Sequence, residues 1–320
     1  MMRRRNRVSE NFRRARTLLC CALLVFAALG SSCGGAREGG VGSSAGGVSE
    51  PKVKDGRPQR IISLTPSTTE ILAGVGAFER VVAVSDYCSY PAQVKYLPRV
   101  GGWSNPNLEQ LASLRPDLVV FWDSQAQFVK DKIEAMGVRT LSVPSRSLAD
   151  AFAAIEQIGR ATGNEAEAAR LLAETRASVE EVRARASALP RRNVLCVVDR
   201  VPGTLRDLYT AADGSFIAEL IEAAGGKSVA PSAQGGWGKL QKEAVVALDP
   251  DVIIDLMMQK PEGKFAEDTL AVWRELPTLR AVREGRVHAV REETVLHPSQ
   301  FVGDTARRFA ELIHPEEFRK

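Results

Sequence analysis

The sequence predicts an α/β fold: two lobes, each built on a mainly parallel sheet flanked by helices, with a long helical stretch between them. Three observations carry this. Short apolar strands alternate with helical segments from residue 59 to 146, as parallel sheets covered by helices require. Residues 147–189 then show no strand signal and are dense in Ala, Glu and Arg, and alternation resumes from residue 190 to 320.

In the first segment, Arg60–Leu64, Val81–Val84, Val119–Trp122 and Thr140–Val143 read as strands, with helices near Thr68–Gly76, Asn107–Leu114 and Gln125–Met136. The apolar Ile61, Ile62 and Leu64 run into Thr65-Pro66-Ser67, whose hydroxyls suit an N-cap, and Glu70, Ile71 and Leu72 ride on the helix that follows. The second strand ends at Ser85-Asp86-Tyr87 and the third on Trp122. In an open parallel sheet, ligands bind outside the carboxyl ends of the strands, so Tyr87 and Trp122 stand at a crevice.

Thr162-Gly163-Asn164 interrupts the middle stretch, and Glu165 to Leu189 is a run of strong helix formers. At ~1.5 Å per residue these roughly 25 residues span ~37 Å, the length of a lobe, either as a surface helix or as a spine. After Pro190 come the strand Asn193–Val198, the helix Ser215–Ala224 ending at Gly225-Gly226, and the strand Val252–Leu256. A helix around Asp268–Glu275, the strand Val287–Val290 and a last helix near Gly303–Ile313 complete the order. Leu114-Arg115-Pro116-Asp117-Leu118 and Leu248-Asp249-Pro250-Asp251-Val252 echo each other, once per lobe.

Residues 1–32 read as a targeting segment, with an Arg-loaded start, an apolar run from Leu18 to Leu29, and Gly30, Ser31 and Ser32 before Cys33. The apolar run falls short of the ~20 residues a membrane span needs. The segment holds seven Arg and one Glu, a net +6 of the chain's +4, which leaves −2 for the rest. The basic balance is therefore an export feature, and nucleic acid is not an expected partner. Residues 33–58, rich in Gly and Ser, read as a flexible tether. Cys88 and Cys196, one per lobe, are expected as separate thiols.

Three of the four Trp fall where loops should face a cleft. Trp103 lies in Gly101-Gly102-Trp103-Ser104-Asn105-Pro106 and Trp237 in Gln234-Gly235-Gly236-Trp237-Gly238; Trp122 ends a strand. A loop Trp flanked by glycines buries little of itself, and a flat partner would cover it. Trp273, in the helical Leu270–Leu276, is expected in the core. Glu109 and Glu243 each sit just inside a helix start, a few residues past a cleft Trp, where an acidic side chain gains ~0.3–1 kcal/mol from the helix dipole.

The stretch RIISLTPSTTEILAGVGAFERVVAVSDYCSYP and then VGGWSNPNLEQLASLRPDLVVFW resembles the periplasmic vitamin B12-binding protein family, ABC-importer receptors in which one long helix joins two lobes. The resemblance is densest in residues 60–122 and returns in Gly225-Gly226, Gly236-Trp237, Lys242-Glu243-Ala244 and Leu248 to Ile254. It implies a class III periplasmic binding protein-like fold with the middle helix as a rigid spine. It also implies that Tyr87, Trp103, Trp122 and Trp237 pack around a corrin ring, and that Glu109 and Glu243 dock on an ABC permease in the inner membrane. The small-residue approach to Cys33 resembles a bacterial lipoprotein site, which implies a lipid-anchored, extracytoplasmic monomer; ordinary cleavage and free secretion is the alternative. No cofactor is expected.

An enzyme reading finds no support: the chain lacks a nucleophile elbow, a phosphate-cradling loop and a dinucleotide motif in a strand-to-helix context. Three His (His288, His297, His314) are too few for a metal cage. The competing cargo is an iron–siderophore or haem. Arg200 and Arg206 would serve an anionic siderophore; Tyr87 or His297 would serve haem. Arg200 and His297 are therefore further candidate ligand contacts, His297 otherwise being an exposed loop residue.

Overall fold

The computed structural model describes residues 56–256 and 268–318. The proposed targeting segment, Cys33 and nearly all of the tether lie outside the described residues. The first half contains β1 (Ile61–Ser63), α1 (Pro66–Gly74), β2 (Val81–Val84), α2 (Leu108–Ser113), β3 (Leu118–Trp122), α3 (Ala126–Glu134) and β4 (Arg139–Val143). Its sheet runs β2-β1-β3-β4 with every pairing parallel, so all four strands end at one edge. Period-two alternation divides the side chains. Ile61, Leu118 and Val120 enter the core shared with α1 and α4, while Ile62, Val119 and Phe121 enter the core that includes Leu111 of α2 and Val129 of α3. Each such aliphatic side chain, fully buried, contributes ~1.5–3 kcal/mol.

Two helices follow, α4 (Leu148–Thr162) and α5 (Glu165–Ala186). Gly163, at φ 70°, ends α4 in a left-handed turn that only glycine adopts without strain. The predicted interruption is therefore present, and α5 stops three residues short of the expected Leu189. This helix packs against α1 and α4 on one lobe and against α6 and α10 on the other. Two glycines make the approach close: a Cβ at Gly159 would fall 2.2 Å from the Ala168 Cβ, and one at Gly303 would fall 2.3 Å from Ser178 Oγ.

The second half contains β5 (Arg192–Asp199), β6 (Leu208–Ala211), α6 (Phe216–Ala223), β7 (Gly226–Ser228), β8 (Trp237–Leu240), α7 (Lys242–Leu248) and β9 (Val252–Asp255). Then come α8 (Thr269–Trp273), α9 (Arg280–Arg283), β10 (Val287–Ala289), α10 (Val302–Ile313) and α11 (Pro315–Phe318). The sheet order is β10-β9-β5-β6-β8, with β7 beside β5. β10, β9, β5 and β7 pair in parallel, whereas β6 is antiparallel to both β5 and β8. The strands β6, β7 and β8 are absent from the sequence reading. Each is three or four residues long, and none forms an apolar run.

Candidate ligand-binding site

At the carboxyl edge of the first sheet, Trp122 closes β3 half-buried, and its indole Nε1–H donates to Ser67 Oγ at 2.7 Å. Ser67 is itself buried in the first turn of α1, which Thr65 caps by accepting from the Thr68 amide. Gln125 is fully buried one turn beyond Trp122. Its Oε1 accepts the Trp122 backbone N–H at 3.1 Å, and its Nε2 donates to the Trp103 carbonyl at 2.8 Å. The Trp103 ring packs edge-on against Phe128 of α3, with centroids 5.3 Å apart.

The loop carrying Trp103 is shaped by Gly101, at φ 94°, where a Cβ would crowd the Asn105 carbonyl at 3.1 Å and the Asn107 amide at 3.2 Å. The Asp86 amide donates to the Gly101 carbonyl at 3.0 Å, which sets the Tyr87 turn beside this loop. Tyr87 is 50% exposed, and a Cβ on Gly102 would lie 3.7 Å from its ring. Tyr87, Trp103 and Trp122 are thus gathered at one edge.

Trp237 is not a loop residue; it opens β8, half-buried, and the antiparallel register pairs it with Ala211. Its ring stacks on Tyr209 at 6.2 Å and 13°, and meets Phe216 edge-on at 6.3 Å. The Phe216 amide donates to the Arg146 carbonyl at 2.6 Å, and Glu219 Oε2 accepts the Leu148 amide at 2.7 Å. Arg146 follows the end of β4 closely, so this second aromatic group is tied to the edge where the first sheet's strands terminate. Tyr209 is absent from the sequence reading, because the four-residue β6 forms no apolar run and its place beside Trp237 is set only by the sheet register.

The two polar candidates are committed to other partners. Arg200 is buried, and its Nε donates to Asp255 Oδ2 at 2.9 Å, an oxygen that also accepts Trp273 Nε1–H at 2.8 Å. Trp273 is fully buried, as its helical setting predicts. His297 is buried rather than exposed. Its Nδ1 lies 2.6 Å from Glu70 Oε1, while Glu70 Oε2 accepts Ser299 Oγ–H at 2.6 Å. A buried carboxylate needs such donors, and that need fixes the imidazole.

Glu109 and Glu243 are exposed in the first turns of α2 and α7, and among the described residues neither has an ion-pair partner. Cys88 and Cys196 are free, buried thiols, and burial pushes both above the ordinary cysteine value. Among the described residues no cluster of His, Cys, Asp and Glu could hold a metal, and no helix is long and apolar enough to cross a membrane.

Residues 61–294 match the model of the family described as periplasmic binding protein. The chain belongs to the periplasmic binding protein family. Its two lobes, one sheet all-parallel and the other mainly parallel, joined through α5, are the class III form of that fold. This periplasmic binding protein is 30% identical over 270 residues to the uncharacterized ABC transporter substrate-binding lipoprotein YvrC of Bacillus subtilis, covering 82% of each chain. It is 27% identical over 198 residues to the vitamin B12-binding protein of Yersinia pestis, covering 61% of this chain and 69% of the relative. Among solved structures, the periplasmic heme-binding protein RhuT of Roseiflexus matches at a TM-score of 0.70 and 24% identity, over 80% of this chain and 98% of that one.

Proposed function

We propose that this protein is the receptor of an ABC importer, capturing a corrinoid such as cobalamin between its lobes and delivering it to a permease in the inner membrane. The observation that carries the proposal is the aromatic set. Tyr87, Trp103 and Trp122 converge at one sheet edge, and Trp237 with Tyr209 forms a stacked pair tied to that edge through Phe216 and Arg146. A broad, rigid ring system held between such faces gains contact area for little loss of side-chain entropy. The vitamin B12-binding relatives support the corrinoid cargo, and the ABC transporter substrate-binding relative supports the receptor role.

The protein performs no chemistry in this account. Closure is small, because α5 packs on both lobes, and loading presents Glu109 and Glu243 to the permease. Lipidation at Cys33 holds a monomer at the extracytoplasmic face of the membrane.

The same receptor role for haem or an iron–siderophore is the second reading, and the shared fold of a heme-binding protein keeps it open. Two contacts weigh against it. Arg200, a candidate for an anionic siderophore, is paired with Asp255, and His297, a candidate iron ligand, is paired with Glu70. Tyr87 and the exposed Arg206 remain available to that reading. Titrating the purified protein with cyanocobalamin, haemin and ferric siderophores while following Trp fluorescence ranks the cargoes. Saturable quenching by cyanocobalamin is the expected result, and no response to any corrinoid ends the proposal.

A further inference from the structure

We propose that Gln125 and Ser67 are positioning residues for cargo binding, which set the spacing and tilt of Trp103 and Trp122 before a ligand arrives. The inference rests on the aromatic-cleft reading above and assigns roles to two residues that contact no ligand in it.

Burying a glutamine whole is costly, because its amide loses water and its long side chain loses rotamer freedom. An apolar residue would serve a core better. Gln125 is nonetheless fully buried, and both ends of its amide are directed at the main chain of tryptophan-bearing segments. The acceptor meets the Trp122 N–H and the donor meets the Trp103 carbonyl. A strand end at Trp122 and an irregular loop at Trp103 are thereby fixed to one planar group. The amide supplies an acceptor and a donor from one planar group, whereas an ionised carboxylate lacks the donor and a hydrocarbon lacks both functions.

The ring planes are held separately from the backbone. Phe128, on the helix that begins just after Gln125, packs edge-on against the Trp103 indole and limits its rotation. Ser67 accepts the Trp122 indole N–H and pins that ring to the first turn of α1. With its single donor already used, Trp122 offers a cargo its ring surface rather than a hydrogen bond. The first-lobe half of the cleft is therefore assembled in advance, which lowers the ordering cost of binding.

The test uses the full mature protein and cyanocobalamin, with dissociation constants from equilibrium dialysis and folding followed by circular dichroism. Gln125→Glu keeps an acceptor for Trp122 and, when ionised, turns an acceptor oxygen toward the Trp103 carbonyl. A protonated carboxyl restores the donor, so binding is measured across pH and the loss is expected on the alkaline side. Ser67→Ala removes only the hydroxyl under Trp122. Each is expected to weaken binding roughly five- to tenfold, the effect of one lost hydrogen bond. In a Trp103→Ala background Gln125→Glu should add nothing, and in a Trp122→Phe background Ser67→Ala should add nothing. A role confined to stability predicts wild-type affinity in the folded variants, or equal losses in both backgrounds, and either result overturns the inference. Where Gln125→Glu does not fold, Ser67→Ala decides alone. If wild-type protein binds cyanocobalamin but Trp103→Ala and Trp122→Ala bind equally well, the cleft reading fails first and takes this inference with it.

Discussion

His297 Nδ1 lies 2.6 Å from Glu70 Oε1, although 227 positions separate the two residues. Glu70 belongs to α1 of the first lobe, and His297 follows the last strand of the second. The Gln300 amide also donates to the Glu70 carbonyl at 2.9 Å, and Tyr90 meets Phe301 edge-on at 5.0 Å. These contacts join the lobes in addition to α5 and the Phe216–Arg146 hydrogen bond. Removing the imidazole leaves a buried carboxylate with Ser299 as its side-chain donor, so His297→Ala should lower stability by ~3 kcal/mol in urea unfolding. Glu70→Gln in the same chain should recover part of that loss, because the unpaired charge is gone. The visible spectrum of bound cobalamin or haem should not change, since this imidazole serves Glu70; a spectral shift would return His297 to the cargo.

Arg200 and Asp255 make the equivalent contact inside the second lobe, with side chains 3% and 1% exposed. Arg200→Met should cost several kcal/mol by removing a buried guanidinium that Asp255 is paired with. Ferric siderophore binding by the folded fraction should stay unchanged. A selective loss of siderophore binding without loss of stability would contradict the assignment.

His314 supplies a pH dependence. It caps α10, buried, with Nε2 3.3 Å from the Gly225 carbonyl, and burial holds its imidazole below the ordinary value. The unfolded chain therefore takes up this proton first, near pH ~6.5. The contribution to stability is complete above that pH and is lost as pH falls through it toward the folded value. Urea midpoints measured at about pH 7.5 and 5.5 should differ less in His314→Gln than in wild type, and an unchanged difference would remove His314 as a source.

Glu109 and Glu243 carry the transport prediction. Charge reversal to Lys at either should leave cyanocobalamin affinity intact, because both side chains are exposed on short helices outside the aromatic set. Uptake through the reconstituted permease should fall at least tenfold, as like charges opposed at an interface cost several kcal/mol. Uptake equal to wild type in both variants would place docking elsewhere.

The α/β alternation was legible because each buried parallel strand is an apolar run closed by a turn signal, as in Leu118 to Trp122. The short strands β6 and β8 were not, since Tyr209 and Lys239 are exposed and Gly238 interrupts the pattern. For that reason the sequence around Trp237 reads as a loop. The three first-lobe aromatics were legible from strand ends and from the glycines around Trp103. Their supports were not: Gln125 reads as an ordinary polar residue at a helix start, and its two partners are main-chain atoms. Glu70 next to Ile71 and Leu72 did carry a signal, a carboxylate in an apolar segment that requires a donor. The sequence offered no way to choose His297 and Ser299 as its partners across so long a separation.

If rings from both lobes enclose one flat cargo, isothermal titration of cyanocobalamin into three variants will register it. Trp103→Ala and Trp237→Ala should each weaken binding by at least tenfold, hot-spot losses of more than ~1.4 kcal/mol, whereas folded Trp273→Ala should bind as wild type does. Equal affinities in all three, or a loss confined to one lobe, would contradict the account.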